Sequence, residues 1–197
     1  MASAIQIYLA SQSPRRRELL QQIGVRFRVL VPDVNEAPLS REAPATYVAR
    51  IARIKAEVAW MRICERRMKP CPVLAADTAV ILGRRILGKP ATDAAAAEML
   101  QALSGRTHQV LTAIALAQDH RVLLATSVSK VKFRRLSDLE ITRYVACGEP
   151  HDKAGGYGIQ GLAATFIARV EGSYSGVMGL PLFETARLLK TFGVQVL

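Results

Sequence analysis

The sequence has few residues of the types that build disulfide frameworks or zinc sites. Among its 197 residues are three cysteines, Cys64, Cys71 and Cys147, and none belongs to a C-x-x-C pair. The three histidines do not have the spacing of metal ligands either. We therefore interpret the cysteines as structural, because the pattern indicates neither a disulfide scaffold nor a histidine-rich zinc enzyme.

Long apolar runs are missing as well, although 50% of the residues are hydrophobic. The longest charge-free stretches, such as residues 154–168, contain glycines and fall short of the roughly 18 residues that a spanning helix needs. The first apolar run, Ile5–Ala10, is too short for a signal peptide and precedes its positive charges. We expect a cytoplasmic protein without a membrane segment. Length and composition fit one domain over residues 1–197, or two small lobes around one cleft.

Acidic side chains are scarce. The chain contains 16 acidic and 27 basic side chains, so its net charge is +11. Residues 1–70 hold 13 of the basic and only 6 of the acidic side chains. This balance suits a nucleic-acid surface, or a site for a small polyanion such as a nucleoside triphosphate. Aromatic residues make up only 6% and no nucleic-acid motif is present, so base stacking has little support and we expect no nucleic-acid partner.

Apolar patterns with helical and extended periods alternate along the chain. Strands are predicted at Ile5–Ala10, Val25–Val31, Val73–Ala76, Ala79–Leu82, Val110–Ala117, Val122–Phe133 and Leu162–Val170, and helices from Pro14 to about Gly24, Thr46–Met68, Ala94–Leu103, Ser137 to about Gly148 and Leu182–Thr191. Asp119-His120 is a hairpin signal between two of these strands. The alternation predicts an α/β fold, and the hairpin indicates a mixed, twisted sheet with flanking helices.

Three arginines, Arg15 to Arg17, stand in the first turn of the first predicted helix. Ser13 is the natural N-cap and Pro14 the natural first residue of that helix. Positive charge at a helix start costs a few tenths of a kcal/mol or more per residue, and a bound anion would reverse the sign. The serine hydroxyls, including that of Ser11, the free N–H groups and the guanidinium groups could hold a phosphate chain. In the alternative interpretation the arginines are solvated and Glu18 neutralises one of them.

Two charged residues stand in apolar surroundings. Asp77 follows the run Val73–Ala76 and is predicted at the end of a strand, where a carboxylate can hold a divalent metal or take a proton from water. A simple hydrogen-bonding aspartate is the alternative. Lys55 shares the apolar stripe of its helix with Ile51 and Val58, so it must either reach outward to solvent or meet an anion.

Weaker signals come from polar residues in loops. They are Glu36, Lys89 between two turn-forming residues, Asp152-Lys153, and Thr78, which could contact a base or simply suit a strand. The loop 151–161 contains four glycines and could approach a ligand closely, but it lacks the Walker pattern. A G-x-S-x-G motif is absent too, so neither a P-loop kinase nor a serine hydrolase of that type is indicated.

The Maf family of nucleotide pyrophosphatases, first named for septum formation, has an opening signature that resembles Leu9-Ala10-Ser11-Gln12-Ser13-Pro14-Arg15-Arg16-Arg17-Glu18-Leu19-Leu20. Further blocks that resemble the family follow in its order: Ala52–Ala56, Ala76–Thr78, Gly88–Pro90, Leu103–His108, Asp152–Gly155, Tyr157–Gly161, Gly172–Tyr174 and Gly179–Pro181. The resemblance therefore extends from near one end of the chain to near the other.

This resemblance implies an elongated fold of two lobes around a deep central cleft, similar to inosine triphosphate pyrophosphatases and often dimeric. It also implies a house-cleaning hydrolase that splits a nucleoside triphosphate into the monophosphate and pyrophosphate with Mg²⁺ or Mn²⁺. The small-molecule triphosphate would then be the partner, with a second copy of the chain in a homodimer.

The resemblance also implies roles for individual residues. Asp77 matches the aspartate regarded as proton acceptor, and with Glu36 it is expected at the metal. The expected substrate-binding residues are Ser11, Arg15, Arg16, Lys55, Thr78, Lys89, Asp152, Lys153 and Gln160. Whether Asp77 acts as base, as metal ligand or as both is left open at this point.

Substrate choice in the family is associated with the positions of Arg15, Thr78 and Gln160. The residues at all three positions resemble those of the subgroup that acts on dTTP and UTP. Modified pyrimidine nucleotides are a further expected class of substrate. The 7-methyl-GTP subgroup has an aromatic residue in the place of Arg15, so hydrolysis of 7-methyl-GTP is the second hypothesis. A basic protein that binds nucleic acid or a cell-division partner is a third alternative, and a phosphatase that releases orthophosphate is a fourth.

Overall fold

The computed structural model describes residues 5–196, which form strands and helices in alternation. The strands are β1 (Ile7–Leu9), β2 (Phe27–Val29), β3 (Val73–Leu82), β4 (Arg85–Leu87), β5 (Thr107–Gln118), β6 (Arg121–Phe133) and β7 (Ile167–Glu171). The helices are α1 (Pro14–Gln22), α2 (Pro44–Glu65), α3 (Asp93–Leu103), α4 (Asp138–Ala146), α5 (Tyr174–Met178) and α6 (Leu182–Thr191). The predicted α/β class is confirmed. Within residues 5–196, none of the helices is both long enough and apolar enough to cross a membrane.

The sheet is mixed, as the hairpin signal predicted. Its strands follow the order β2-β1-β3-β5-β6-β7, and β4 pairs with β3. Strand β1 runs parallel to β2, with Ile7 opposite Phe27, and parallel to β3. The pairs β3–β4 and β6–β7 are antiparallel. At the turn between β5 and β6, Asp119 has a φ of 54°, a left-handed conformation that aspartate tolerates better than most residues.

The chain divides into two compact units. The first unit contains the residues up to Asp77, Thr112–Ser127 and the residues from Gly179 onward. The second unit contains Thr78–Leu111 and Val128–Met178. Strands β3, β5 and β6 contribute residues to both units. The prediction of a single domain over residues 1–197 stays a prediction.

In the first unit, strands β1 and β3 and helices α1 and α2 contribute buried residues. Helix α2 buries residues three or four positions apart, which places them on one face: Val48, Ile51, Ala52, Lys55, Ala56, Ala59 and Ile63. Lys55 is the charged member of this face, so α2 carries an ammonium group into the interior of the first unit.

The core of the second unit is built around aromatic rings. Phe133 contacts Tyr157, His108 and Phe166 in edge-to-face geometry, and Tyr144 contacts Phe166 in the same way. Such contacts add stability beyond the burial of area alone. They also hold Tyr157, which belongs to the glycine-rich loop, against His108 on β5 and Phe133 on β6.

The predicted bounds of β1 and β2 were too wide, and two further differences concern the strands near Asp77 and Leu162. Strand β3 continues through Asp77, which was predicted at a strand end, because a partner on α2 compensates the buried carboxylate. The predicted strand Leu162–Val170 begins only at Ile167, and Leu162–Phe166 is a 3₁₀ helix. Here the Leu162 N–H donates to the carboxylate of Glu149 rather than to a neighbouring strand.

Candidate active site

A lysine and two carboxylates form the centre of the first unit. Lys55 Nζ lies 2.9 Å from Oδ1 of Asp77 and 2.8 Å from Oε1 of Glu36. The Lys55 and Asp77 side chains are 11% and 9% exposed, whereas that of Glu36 is 50% exposed. A helix, a strand and a loop thus each contribute one group. Of the two alternatives for Lys55, the structure shows the one in which the lysine meets an anion.

The position of Asp77 changes its acidity. Burial raises the pKa of its carboxyl group above the ordinary value, and the nearby charge of Glu36 acts in the same direction. The charges of Lys55 and Arg16 pull the pKa back down without cancelling the effect of burial. A carboxylate with a raised pKa accepts a proton more readily, which is the property that a general base needs.

Arg16 points inward from the start of α1. Its Nε donates to the carbonyl of Gly179 at 2.8 Å, and its Nη1 donates to Oγ of Ser11 at 3.0 Å. Burial lowers the pKa of Arg16, while the negative charges of Asp77 and Glu36 raise it, so the guanidinium lies in the field of both carboxylates. Four sequence-predicted residues of the first unit, besides Lys55, are therefore brought together: Ser11, Arg16, Glu36 and Asp77.

The other two arginines of this helix start behave differently. Arg17 Nη2 donates to the backbone carbonyl of Gln12 at 2.7 Å, which fixes the turn before α1. Arg15 is half-buried, and its positive charge lowers the pKa of Arg16. Ser13 is the N-cap and Pro14 the first residue of α1, as predicted, but the Ser13 side chain makes no capping bond and the Ser13 N–H donates to Ser11 Oγ. The Ser11 hydroxyl thus serves both the turn and Arg16.

The remaining predicted residues lie in the second unit. Lys153 Nζ donates to Oδ1 of Asp152 at 2.5 Å and to the carbonyl of Glu149 at 2.7 Å, so these two candidate residues are in direct contact. Lys89 and Gln160 have exposed side chains, and Thr78 is half-buried in β3 directly after Asp77. A backbone bond from Gly155 N to Gly88 O, 2.9 Å long, holds the glycine-rich loop beside the segment that carries Lys89.

Glu149 was not predicted from the sequence. It joins the two ends of the loop that contains Lys153 and Gln160, because its carboxylate binds Leu162. Its carboxylate accepts the Tyr144 hydroxyl at 2.9 Å and the Leu162 N–H at 2.9 Å. A Cβ added to Gly161 would overlap this carboxylate. The glycine at 161 was a signal of close approach by another group, but the sequence could not show which group approaches it.

The oxygen ligands available for a metal are the carboxylates of Glu36 and Asp77. Within the described part of the chain, no three His, Cys, Asp or Glu side chains are grouped so that they could hold a metal ion. Mg²⁺ is commonly held by one or two carboxylates together with the phosphates of the substrate. Because both carboxylates reach one ammonium nitrogen, the pair fits a cation that is bound jointly with a phosphate chain.

The cluster of Lys55, Arg16, Asp77 and the half-exposed Glu36, in a mixed α/β fold, is suited to an enzyme that acts on an anionic substrate. The family model described as "Maf-like protein" matches residues 6–192. The chain belongs to the Maf family, and the resemblance inferred from its motifs is confirmed.

Relatives of this chain were found over nearly their full lengths. A protein of Nitrosospira multiformis named dTTP/UTP pyrophosphatase is 54% identical over an alignment of 198 positions, which covers 96% of each chain. A protein of Nitrosomonas europaea with the same name is 53% identical, also over 96% of each chain. Among solved structures, the Staphylococcus aureus Ham1 protein is similar over 65% of this chain and 71% of its own, with a TM-score of 0.46 and 17% identity.

Proposed function

We propose that the protein is a nucleotide hydrolase that converts dTTP and UTP into the monophosphate and pyrophosphate. The observation that carries this proposal is the cluster of Lys55, Asp77, Glu36 and Arg16 in a chain that is about half identical to relatives named dTTP/UTP pyrophosphatase. The cluster supplies cationic groups for phosphates and a carboxylate suited to proton transfer.

The reaction requires a water oxygen to form a bond to the α-phosphorus while the bond to the bridging oxygen breaks. Pyrophosphate leaves with the electron pair of that bond, and the water must lose a proton. Asp77 takes this proton, because its buried carboxylate lies within the cluster and supplies an oxygen acceptor there. Arg16 and Lys55 bind the negative phosphate oxygens and stabilise the charge that develops on them.

Mg²⁺ or Mn²⁺ fits this site through Glu36 and Asp77. When bound, such a cation supplies Lewis-acid chemistry, which draws charge from the phosphate oxygens. Lys55 holds both carboxylates close together, so the two ligands are oriented before a cation arrives. In this assignment Asp77 serves as both ligand and proton acceptor, and Glu36 serves as ligand alone.

Base recognition is assigned to Arg15, Thr78 and Gln160 from the family resemblance. Hydroxyl and amide groups suit the hydrogen-bonding edge of a pyrimidine, and such a site discriminates against bases that leave its polar groups unpaired. Ser11, Lys89, Asp152 and Lys153 are assigned to substrate binding on the same basis. A cytoplasmic location and a homodimer stay predictions.

Product analysis tests the proposal. The protein is incubated with dTTP, UTP, CTP, 7-methyl-GTP or ATP, in Mg²⁺ and in Mn²⁺, and monophosphate, pyrophosphate and orthophosphate are quantified. Pyrophosphate released from dTTP and UTP in preference to the others is the expected result. Preference for 7-methyl-GTP would transfer the assignment to that subgroup, and release of orthophosphate would identify a phosphatase instead.

A further inference from the structure

The loop that carries Glu36 is fastened at several points to helix α2. Arg50 forms a two-pronged ion pair with Glu42, with Nε 2.6 Å from Oε1 and Nη2 2.7 Å from Oε2. Arg50 Nη2 also donates to the carbonyl of Ala37 at 3.1 Å. Glu42 in turn accepts the N–H of Leu39 at 3.0 Å. Arg50 is therefore joined both directly and through Glu42 to residues on the C-terminal side of Glu36.

Tyr47 is attached to Glu36 itself. Its hydroxyl donates to the backbone carbonyl of Glu36 at 3.1 Å, and its ring packs under the guanidinium of Arg50, 5.8 Å from the ring centroid. A planar guanidinium that is stacked and paired in this way is held in one orientation. Tyr47 and Arg50 thus support one another while each holds a different carbonyl of the same loop.

The anchors and the cluster share one rigid element. Tyr47, Arg50 and Lys55 all belong to α2, and Lys55 Nζ contacts the Glu36 carboxylate at 2.8 Å. Glu36 itself belongs to no helix or strand, and its side chain is half exposed. Its position therefore depends on the bonds that tie its loop to α2.

The charges of these anchors are stable at neutral pH. The hydrogen bonds from Arg50 lower the pKa of Glu42 to about 2, so the ion pair is fully charged.

We propose that Tyr47, Arg50 and Glu42 form a clamp that positions the Glu36 carboxylate for metal and phosphate binding. This inference rests on the proposed function, since it is that function which gives Glu36 its role. Tyr47 and Arg50 act through Glu36 and are positioning residues. Loss of either anchor should weaken the binding of the cation that activity requires more than it lowers the stability of the fold.

The test uses Tyr47→Phe, which removes one hydroxyl and keeps the ring, and Arg50→Lys, which keeps the charge and loses the two-pronged geometry. The matched control is Arg53→Lys, because Arg53 forms an exposed ion pair with Glu57 on the same helix at 2.8 Å. For each variant we would measure Tm, kcat and KM for dTTP, and the Mg²⁺ concentration that gives half the maximal rate. We expect Tyr47→Phe and Arg50→Lys to raise that concentration on the order of tenfold, and Arg53→Lys to leave it unchanged.

Two further measurements separate positioning from simple structural support. In a Glu36→Gln background, Tyr47→Phe should have no additional effect on the Mg²⁺ requirement, because both changes act through one group. Amide hydrogen exchange of the segment 33–43, measured without metal or nucleotide, should be faster in Tyr47→Phe and Arg50→Lys than in Arg53→Lys.

An unchanged Mg²⁺ requirement in Tyr47→Phe and Arg50→Lys, with only Tm lowered, would overturn the clamp. Additive effects of Tyr47→Phe and Glu36→Gln would overturn it as well. If the unmodified protein released no pyrophosphate from any nucleotide, the proposed function would fail on its own, and the exchange experiment would still report whether these side chains hold the loop.

Discussion

Lys55 on α2 donates to Asp77 on β3 over 2.9 Å, and this bond joins two residues that are 22 positions apart in the sequence. Both side chains are about nine-tenths buried. A buried ion pair of this kind contributes little net stability, because desolvation offsets the attraction between the charges. Its value in this protein is chemical, since it holds a carboxylate with a raised pKa beside the cations Lys55 and Arg16.

Asp77→Asn should remove activity, and its effect on stability should depend on pH, because it removes a titrating group and leaves Glu36 as the charged partner of the buried Lys55 ammonium. Folding raises the pKa of Asp77 above its unfolded value of about 3.9, so the native state binds more protons between the two values and stability falls as pH rises through that window. Asparagine does not titrate and can still accept the bond from Lys55. We expect the Tm of the variant, relative to the unmodified protein, to increase from about pH 4 to about pH 7 in the absence of metal. A relative Tm that decreases over this range would contradict the assignment.

His108 should make the protein sensitive to acid. It is 2% exposed, its Nε2 lies 2.7 Å from the Tyr157 hydroxyl oxygen, and burial lowers its pKa to about 4. The unfolded chain binds a proton near pH 6.5, so the native state loses stability as pH falls from about 6.5 towards 4, by at most about 3 kcal/mol.

His108→Gln places an amide near Nε2 without a titrating group and serves as the comparison. Urea unfolding at about pH 7 and about pH 4.5 should show a smaller loss of stability in the variant than in the unmodified protein. Equal losses in the two proteins would show that His108 is not the acid-sensitive group.

Gly161→Ala should destabilise the second unit. The added Cβ would overlap the Glu149 carboxylate and disturb its bonds to Tyr144 and Leu162. We expect a loss of about 1–3 kcal/mol in the free energy of unfolding. The matched control is Gly88→Ala, where no atom lies within 4 Å of an added Cβ, and the change should stay within about 0.5 kcal/mol. Equal unfolding midpoints for the two variants would show that Glu149 does not hold the loop at Gly161.

Arg16→Lys should weaken binding of the triphosphate. A lysine keeps the charge but cannot reproduce the two bonds to Gly179 O and Ser11 Oγ, so the charge is no longer fixed beside Asp77. We expect KM for dTTP to rise about tenfold, which corresponds to about 1.4 kcal/mol. The comparison is Arg17→Lys, since the Arg17 side chain donates to the nearby backbone carbonyl of Gln12 at 2.7 Å. A larger rise in KM for Arg17→Lys than for Arg16→Lys would reverse the assignment of these two arginines.

Local pattern was sufficient for most of the fold and for part of the site. The spacing of apolar residues predicted α2 and placed Lys55 on its buried face, where a lysine requires a counter-charge. The helix predicted to start at Ser137 is present as α4, and Ser137 and Glu140, which have the spacing of a capping box, form both of its hydrogen bonds there. Signals of this kind lie within a few residues of one another, so one sequence is enough to read them.

The contacts that the sequence did not reveal join distant segments. Asp77 was assigned to a strand end because a carboxylate interrupts an apolar run, and only the position of Lys55 explains why β3 continues through it. Glu149 meets Leu162 across 13 positions, and Tyr47 meets the Glu36 carbonyl across 11. Such pairs depend on how the chain folds back on itself, which no local spacing specifies.

The most direct test of Asp77 as the proton acceptor compares Asp77→Asn with the unmodified protein in the release of pyrophosphate from dTTP and UTP at saturating Mg²⁺, with dTTP binding measured in parallel. We expect kcat to fall on the order of 10²–10⁴-fold while the variant remains folded and still binds dTTP. A variant that releases pyrophosphate within a few-fold of the unmodified rate would show that the carboxylate of Asp77 is not the proton acceptor, and would contradict the assignment of this cluster as the catalytic site.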